Sequence, residues 1–457
     1  MNYEESVRAL YSLGRELAAP RQPAVSSASG AQVQKFGLEN ISALSAALGN
    51  PHRVVPCAHI AGTNGKGSTA AMLESILRAA GFRTGLYTSP HLESVNERIR
   101  IDGQNISDLD FAAAWTRVHS AIESLMASGA LAAHPTFFEC VTAMAFWTFA
   151  DKQLDFAVYE VGLGGRLDST NIVVPEVAVI TSIDFDHESF LGNSIRDIAG
   201  EKAGIIKRGL AVVSAAERAE AREVIARRCS ELNARLVDIA EAYAMQDVSD
   251  LGGVYRATAV SQGTGLAIKL EPPLPGRFQL RNALTAAAAA SVLDERGRRI
   301  AEGAIEDGIR RVRWPGRLEK LSDHPVVYAD GTHNPAGARE LVNFWDENFA
   351  GRRIFLVYGT VRDKAVDEIA GLLYPRAAKV ILTEPRQPRA ISAALLAEMT
   401  GHLAQDYVVE PDPQAALERA IRLASPGDAV FATGSLYLVG EWRSFARRQK
   451  PFAPNPA

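Results

Sequence analysis

The chain has 457 residues, 47% of them hydrophobic and 22% charged. This ordinary globular composition excludes collagen-like, disordered and coiled-coil chains and, at roughly 100 to 200 residues per domain, predicts two or three domains. A formal net charge of −4 offers no basic surplus to a polyanion, which points away from nucleic acid and towards small-molecule partners. No uninterrupted apolar run reaches the ~18 residues of a membrane span, and the acidic start Met1-Asn2-Tyr3-Glu4-Glu5 is unlike a secretory signal. Cys57, Cys140 and Cys229 lie at no metal-ligand spacing. They are expected to be free buried thiols in a reducing compartment. With neither a span nor a signal in view, no membrane partner is implied and the chain is expected to be cytoplasmic.

In chain order, residues 54–61 form an apolar run of strand length. Residues 68–80 carry the helical period, closed by Gly81, and 84–88 form a second strand, which is a βαβ reading. Residues 155–161, 177–183 and 210–214 are further strands of the buried type, with helices such as 195–203 between them. The N-terminal part is therefore predicted to be α/β, a P-loop-type, doubly wound and mostly parallel sheet covered on both faces. Residues 244–265 read as short antiparallel strands, and the Ala-rich stretch 281–294 as a helix, because Ala has the highest helix propensity. Trp314-Pro315-Gly316-Arg317 interrupts either period and marks a hinge. Strands resume at 326–330, 354–359, 379–383, 407–409 and 429–433, which predicts a second, smaller Rossmann-like α/β domain. The expected division is 1–313, a hinge at 314–320, and 321–457.

The sharpest local signal is Gly62-Thr63-Asn64-Gly65-Lys66-Gly67-Ser68, between a strand and a helix. Backbone N–H groups of such a loop, with the helix N-terminus, form an anion nest, and Lys66 can reach terminal phosphates. The common P-loop pattern has Gly where this chain has Ile60, and Ser or Thr where it has Gly67. The plainer use of these residues is a glycine-rich turn with no ligand. Three further strand ends offer Ser89 in Thr88-Ser89-Pro90-His91-Leu92, Glu160 before Val161-Gly162-Leu163-Gly164-Gly165, and His187 after Asp184-Phe185-Asp186. Ligands bind at such carboxyl ends in open parallel sheets. Oxygen donors favour Mg²⁺, which completes its shell from water and substrate phosphates. An imidazole is an atypical Mg²⁺ ligand, so chemistry alone leaves His187 either a ligand or a satisfied core histidine.

Together, residues 62–68, 88–92, 160–171, Asp186-His187 and Glu201-Lys202-Ala203-Gly204-Ile205 resemble the folylpolyglutamate synthase and dihydrofolate synthase family of the Mur ligase superfamily. The resemblance continues in Pro315-Gly316-Arg317-Leu318-Glu319, Asp330-Gly331-Thr332-His333-Asn334-Pro335 and Thr433-Gly434-Ser435-Leu436-Tyr437, in the family's order. It implies ATP-dependent amide formation: the γ-carboxylate of a folate is phosphorylated, and the amine of L-glutamate attacks the acyl phosphate. It implies that Gly62 to Ser68 cradle ATP with Lys66 on the β/γ-phosphates, and that Ser89, Glu160 and His187 hold Mg²⁺. Lys202, as a CO₂-derived carbamate, would help to hold a second metal. By the same resemblance Asn282 meets adenine, Arg317 the phosphates and Asp330 the ribose. His333 would lie near the nucleotide and the incoming amino acid, and Ser435 and Tyr437 near glutamate. Phe138, in Thr136-Phe137-Phe138-Glu139, and Asp168 resemble positions that meet the pterin in enzymes acting on dihydropteroate. A monomer is the family expectation.

The same residue types have plainer uses: Arg317 in an interdomain ion pair, Asn282 as a helix N-cap, Phe138 in the core, His333 in turn chemistry and Lys202 in a helix ion pair. Two other functions share part of the pattern. A Mur-type ligase of cell-wall precursors would use the same ATP apparatus, and a nucleotide-binding switch would use the Gly62 to Ser68 loop without needing Asp330, His333, Ser435 or Tyr437.

Overall fold

The computed structural model describes residues 1–14 and 37–448. Its first sheet has eight strands: β1 (Cys57–Ala61), β2 (Thr84–Tyr87), β3 (Ile99–Ile101), β4 (Gln104–Asn105), β5 (Phe156–Glu160), β6 (Val177–Ile180), β7 (Ala211–Ser214) and β8 (Arg235–Asp238), in the order β4-β3-β2-β5-β1-β6-β7-β8. β2, β5, β1, β6, β7 and β8 run parallel, and β3 and β4 form an antiparallel edge. Side chains alternate faces along a strand, and β5 is a direct case. Phe156 and Val158 join the core under the helix Lys66–Ala79, whereas Ala157 and Tyr159 join the core of the helices Asp108–Ala127 and Phe137–Asp151. Both faces are buried, which is why the strands read as unbroken apolar runs.

The Ala-rich segment is the helix Phe278–Leu293, with Ala286 to Ala290 fully buried against Lys66–Ala79. It begins three residues before the expected 281. The preceding loop ends at Gly276, whose φ of 99° suits glycine, and the Gln279 N–H already donates to the Gly276 carbonyl. Asn282 is therefore inside the helix and not its N-cap, which is Arg277. The irregular stretch forms a three-stranded antiparallel sheet of β9 (Tyr243–Asp250), β10 (Tyr255–Ser261) and β11 (Ala267–Leu270), lying against that helix through Tyr255, Ala257 and Ala259.

The second sheet contains β12 (Glu319–Asp323), β13 (Val326–Ala329), β14 (Ile354–Tyr358), β15 (Lys379–Leu382), β16 (Tyr407–Val409) and β17 (Ala429–Thr433), in the order β12-β13-β17-β14-β15-β16. Only β12 is antiparallel. Its two faces feed two cores, Ile354, Leu356 and Tyr358 on one side and Phe355 and Val357 on the other. Residues 314–318 join the sheets, with positive φ at Gly316 (78°) and Leu318 (45°). The helix Leu436–Arg448 then returns to the first unit. Glu93 accepts from Arg443 Nη1 at 2.7 Å, Ser444 Oγ at 2.8 Å and Arg447 Nη1 at 3.2 Å.

Candidate functional site

The carboxyl end of β1 turns through Gly62 to Gly65 directly into the helix Lys66–Ala79. Gly65 is the left-handed residue before that helix, at φ 84°, and a Cβ there would overlap the Asn282 carboxamide. The loop is stitched to the chain after β6: Thr63 N–H donates to the Ser182 carbonyl at 2.7 Å, and Thr181 Oγ1 to the Asn64 carbonyl at 2.7 Å. Lys66 folds back so that Nζ donates to the carbonyls of Gly62 and Thr63, each at 3.1 Å. Lys202, from the helix Ile195–Ala203, donates to the same Gly62 carbonyl at 2.8 Å. Among the described residues no acid lies within ion-pair distance of Lys202; burial, then repulsion from Lys66, lowers its amine to about 7 against the pull of Asp186. Burial also lowers Lys66, with Glu160 and Asp186 pulling the other way.

Beyond β2 and β5, Ser89 N–H donates to Glu160 Oε2 at 3.0 Å. Burial raises the Glu160 carboxyl, against the attraction of Lys66. After β6 the chain reaches Asp186, where the two units meet. Its carboxylate accepts from Lys364 Nζ at 2.9 Å and Asn334 Nδ2 at 2.9 Å, and His333 Nε2 lies 3.7 Å away. Burial alone would raise this carboxyl, but Lys364, His187 and His333 overcome it and hold Asp186 far below the usual range. His187, at φ 52°, has Nε2 3.2 Å from Lys364 Nζ, and its buried Nδ1 has no partner among the described residues. Burial, then Lys364, lowers His187 to about 4, and the same two causes lower His333 to about 3. Both imidazoles are neutral at pH 7.

From the second unit, Asp330 caps the linker by accepting from Leu318 N–H and Thr332 N–H, each at 2.8 Å. His333 Nδ1 lies 2.7 Å from the Gly331 carbonyl, so that nitrogen carries the proton and Nε2 faces Asp186. Arg317 faces Asp330 and Glu160 through space, and burial lowers its guanidinium. Asn334 and Asn64 exchange carboxamide hydrogen bonds at 3.1 and 2.9 Å across the units.

These residues enclose one cleft of about 450 Å³, which brings together the Gly62 to Ser68 loop, Ser89, Glu160, His187, Lys202, Asn282, Arg317, Asp330 and His333. Four expected residues lie apart from it. Phe138 and Asp168 flank Gly162, where a Cβ would meet both. Asp168 accepts from the N–H groups of Gly162 and Leu163 at 2.9 Å and of Thr170 at 3.0 Å, so its carboxylate also organises its own loop. Ser435 is buried and accepts from Tyr437 N–H at 3.2 Å, while Tyr437 borders a second cavity of about 560 Å³ with Arg98, Phe137 and Arg386. Lys364 was not anticipated by any motif. Asn334 and Asp186 stand inside quoted motifs, but their contact spans 148 residues of chain.

Two family models match the chain: the Mur ligase middle domain over residues 60–290, and the Mur ligase, glutamate ligase domain over residues 316–436. The dihydrofolate synthase/folylpolyglutamate synthase of Bacillus subtilis is 35% identical over 419 residues, covering 90% of this chain and 94% of that protein. Among solved structures, Mycobacterium tuberculosis folylpolyglutamate synthase complexed with ADP matches with a TM-score of 0.87 at 31% identity, over 100% of this chain and 99% of that one. E. coli FolC in complex with DHPP and ADP matches with a TM-score of 0.82 at 30% identity, over 98% and 99%.

Proposed function

The chain belongs to the folylpolyglutamate synthase and dihydrofolate synthase family of the Mur ligases and is an ATP-dependent ligase that joins L-glutamate to a folate; from that premise we propose how its residues do so. The observation that carries the reading is the cleft of about 450 Å³ to which both units contribute, with the Gly62 to Ser68 loop on one wall and Arg317, Asp330 and His333 on the other. A nucleotide switch would need only the first wall.

In this reading the loop and Lys66 hold the β- and γ-phosphates of ATP. Lys66 reaches them by leaving the Gly62 and Thr63 carbonyls, and Arg317 neutralises the charge that develops on the transferred phosphoryl group. Asn282, against Gly65, takes the adenine side, and Asp330 the ribose side. The folate carboxylate displaces ADP to give the acyl phosphate, and the glutamate amine then attacks its carbonyl carbon and expels phosphate. Closing two units over the cleft keeps water from hydrolysing that acyl phosphate. Ser435 and Tyr437 attend the glutamate, and Phe138 and Asp168 the pterin. The B. subtilis relative's double name and the DHPP bound by FolC favour dihydropteroate as an additional acceptor. The working division is a first domain of 1–313, a hinge of 314–320 and a second domain of 321–457, acting as a cytoplasmic monomer. No helix among the described residues is long and apolar enough to cross a membrane.

The donor set fits Mg²⁺. Ser89 hydroxyl, Glu160 carboxylate and His187 imidazole line one cleft. Two oxygen donors and few protein ligands suit an ion that completes its shell from phosphates and water. Bound there, Mg²⁺ would neutralise charge on the β- and γ-phosphates. Lys202, carbamylated, would add an anion for a second Mg²⁺.

The test is direct. Purified protein with ATP, Mg²⁺ and L-glutamate is given dihydropteroate or tetrahydrofolate in turn, with products read by mass and ADP release in parallel. Glutamylated product from both acceptors is expected. ADP release without an acceptor, and no glutamylated product, would overturn the reading.

A further inference from the structure

A buried cation in contact with His187 comes from the second unit, on a stretch that carries no phosphate-binding pattern. Lys364 follows β14 in Arg362-Asp363-Lys364-Ala365. Its side chain is only 7% exposed, and it crosses to the first unit to meet Asp186 Oδ1 at 2.9 Å and His187 Nε2 at 3.2 Å. An ammonium has only donors. At that separation the imidazole must therefore accept through Nε2, which puts the ring proton on Nδ1, the buried nitrogen with no partner among the described residues. The one lone pair that His187 could offer a metal in this arrangement is already engaged by Lys364.

We propose that Lys364 is a positioning residue of the ligation site: it fixes Asp186 and caps the His187 lone pair, so that a divalent cation and the Lys364–His187 contact compete for the same nitrogen. The inference rests on the proposed placement of the metal at His187. Arrival of the cation frees the ammonium while Asp186, still within reach, keeps it beside the cleft. The second unit thus registers metal loading at a point where Asn334 and His333 also touch Asp186.

Two measurements decide this without relying on turnover. The first is a Mn²⁺ titration of the full chain with ADP, followed by the electron paramagnetic resonance signal of free Mn²⁺. Removing the competing positive charge in Lys364→Met should tighten Mn²⁺ binding by about three- to tenfold. Lys364→Arg, which keeps a donor and a charge, should stay near wild type. Unchanged or weaker Mn²⁺ binding by folded Lys364→Met would overturn the proposal. The second needs no variant: histidine ¹⁵N spectra of the wild type should assign His187 as the Nδ1–H tautomer before Mg²⁺ and show its Nε2 resonance moving on Mg²⁺ addition. An Nε2–H tautomer, or an Nε2 resonance indifferent to Mg²⁺, would count against it. If the wild type made no glutamylated product while both readouts behaved as expected, the assigned reaction would fail and the competition at His187 would stand.

Discussion

Two lysines converge on the carbonyl of Gly62, and their chemistry separates them. Lys66 also reaches Thr63, at the mouth of the helix, where its charge can be spent on phosphate. Lys66→Ala is expected to lower kcat about 10²- to 10³-fold, the usual loss when one electrostatic partner of a transition state is removed. The melting temperature should hardly change, because the lost bonds are to loop carbonyls. Steady-state rates of the folded variant check it, and near-normal turnover would remove Lys66 from the mechanism. Lys202 is deeper, and an amine lowered to about 7 is roughly half neutral at pH 7, against fewer than about one in a thousand for an ordinary lysine. Only the neutral amine attacks CO₂. Wild-type activity should therefore fall in CO₂-depleted buffer and recover with bicarbonate. Lys202→Ala should be inactive and partly rescued by acetate or formate, and full activity in that variant would sink the carbamate.

At the scale of elements, the approach of the helix Leu436–Arg448 to the first unit depends on one missing side chain. A Cβ at Gly440 would overlap the carbonyl oxygen of Leu92, part of the backbone that leads from Ser89 to Glu93. Gly440→Val should push the helix off that backbone and, by overpacking, cost about 1 to 3 kcal/mol. Because Ser435 and Tyr437 stand at that helix's start, KM for glutamate should rise more than KM for ATP. Equal KM values with unchanged denaturation would show that the units do not need this contact. Gly440 carries no signal in the sequence, and the reason is general. Strands buried on both faces, the loop at Gly62 and the break at Pro315 are written in local patterns, so the parallel sheets and most of the cleft were legible. The start of the helix at Phe278 was not, since a backbone turn at Gly276 outweighs alanine content. Lys364 and its partners were not, because β14 must first be placed beside β17 before residue 364 can meet residue 186. Asp168 is expected near the pterin only through the family resemblance, and its carboxylate is also occupied in capping its own loop.

For the molecule as a whole, the folded chain keeps several imidazoles neutral, and this gives its stability a pH dependence of definite sign. His59 is the cleanest case, on β1 between both cores and away from the cleft, with Nε2 2.8 Å from Thr170 Oγ1. Burial, then Lys207, lowers it to about 3. An unfolded chain protonates this ring near pH 6.5 and the folded chain does not, so below 6.5 the unfolded state binds the extra proton and stability falls with pH. From pH 7 to 5 this one group removes about 2 kcal/mol, following a slope that approaches about 1.4 kcal/mol per pH unit. Burial raises the carboxyls of Glu160, Asp168, Glu340 and Glu441, which act in the opposite sense because the folded state then holds protons that the unfolded state releases. The total slope is therefore a sum of opposed terms, and the diagnostic is a difference. His59→Gln can still donate to Thr170 but cannot take up the proton. Urea denaturation of wild type and variant at pH 7 and pH 5 should show the wild type losing about 2 kcal/mol more over that interval. A difference that does not change with pH would mean that His59 is protonated in the folded chain, and that Thr170, which already donates to Asp168, is not the acceptor of a neutral ring.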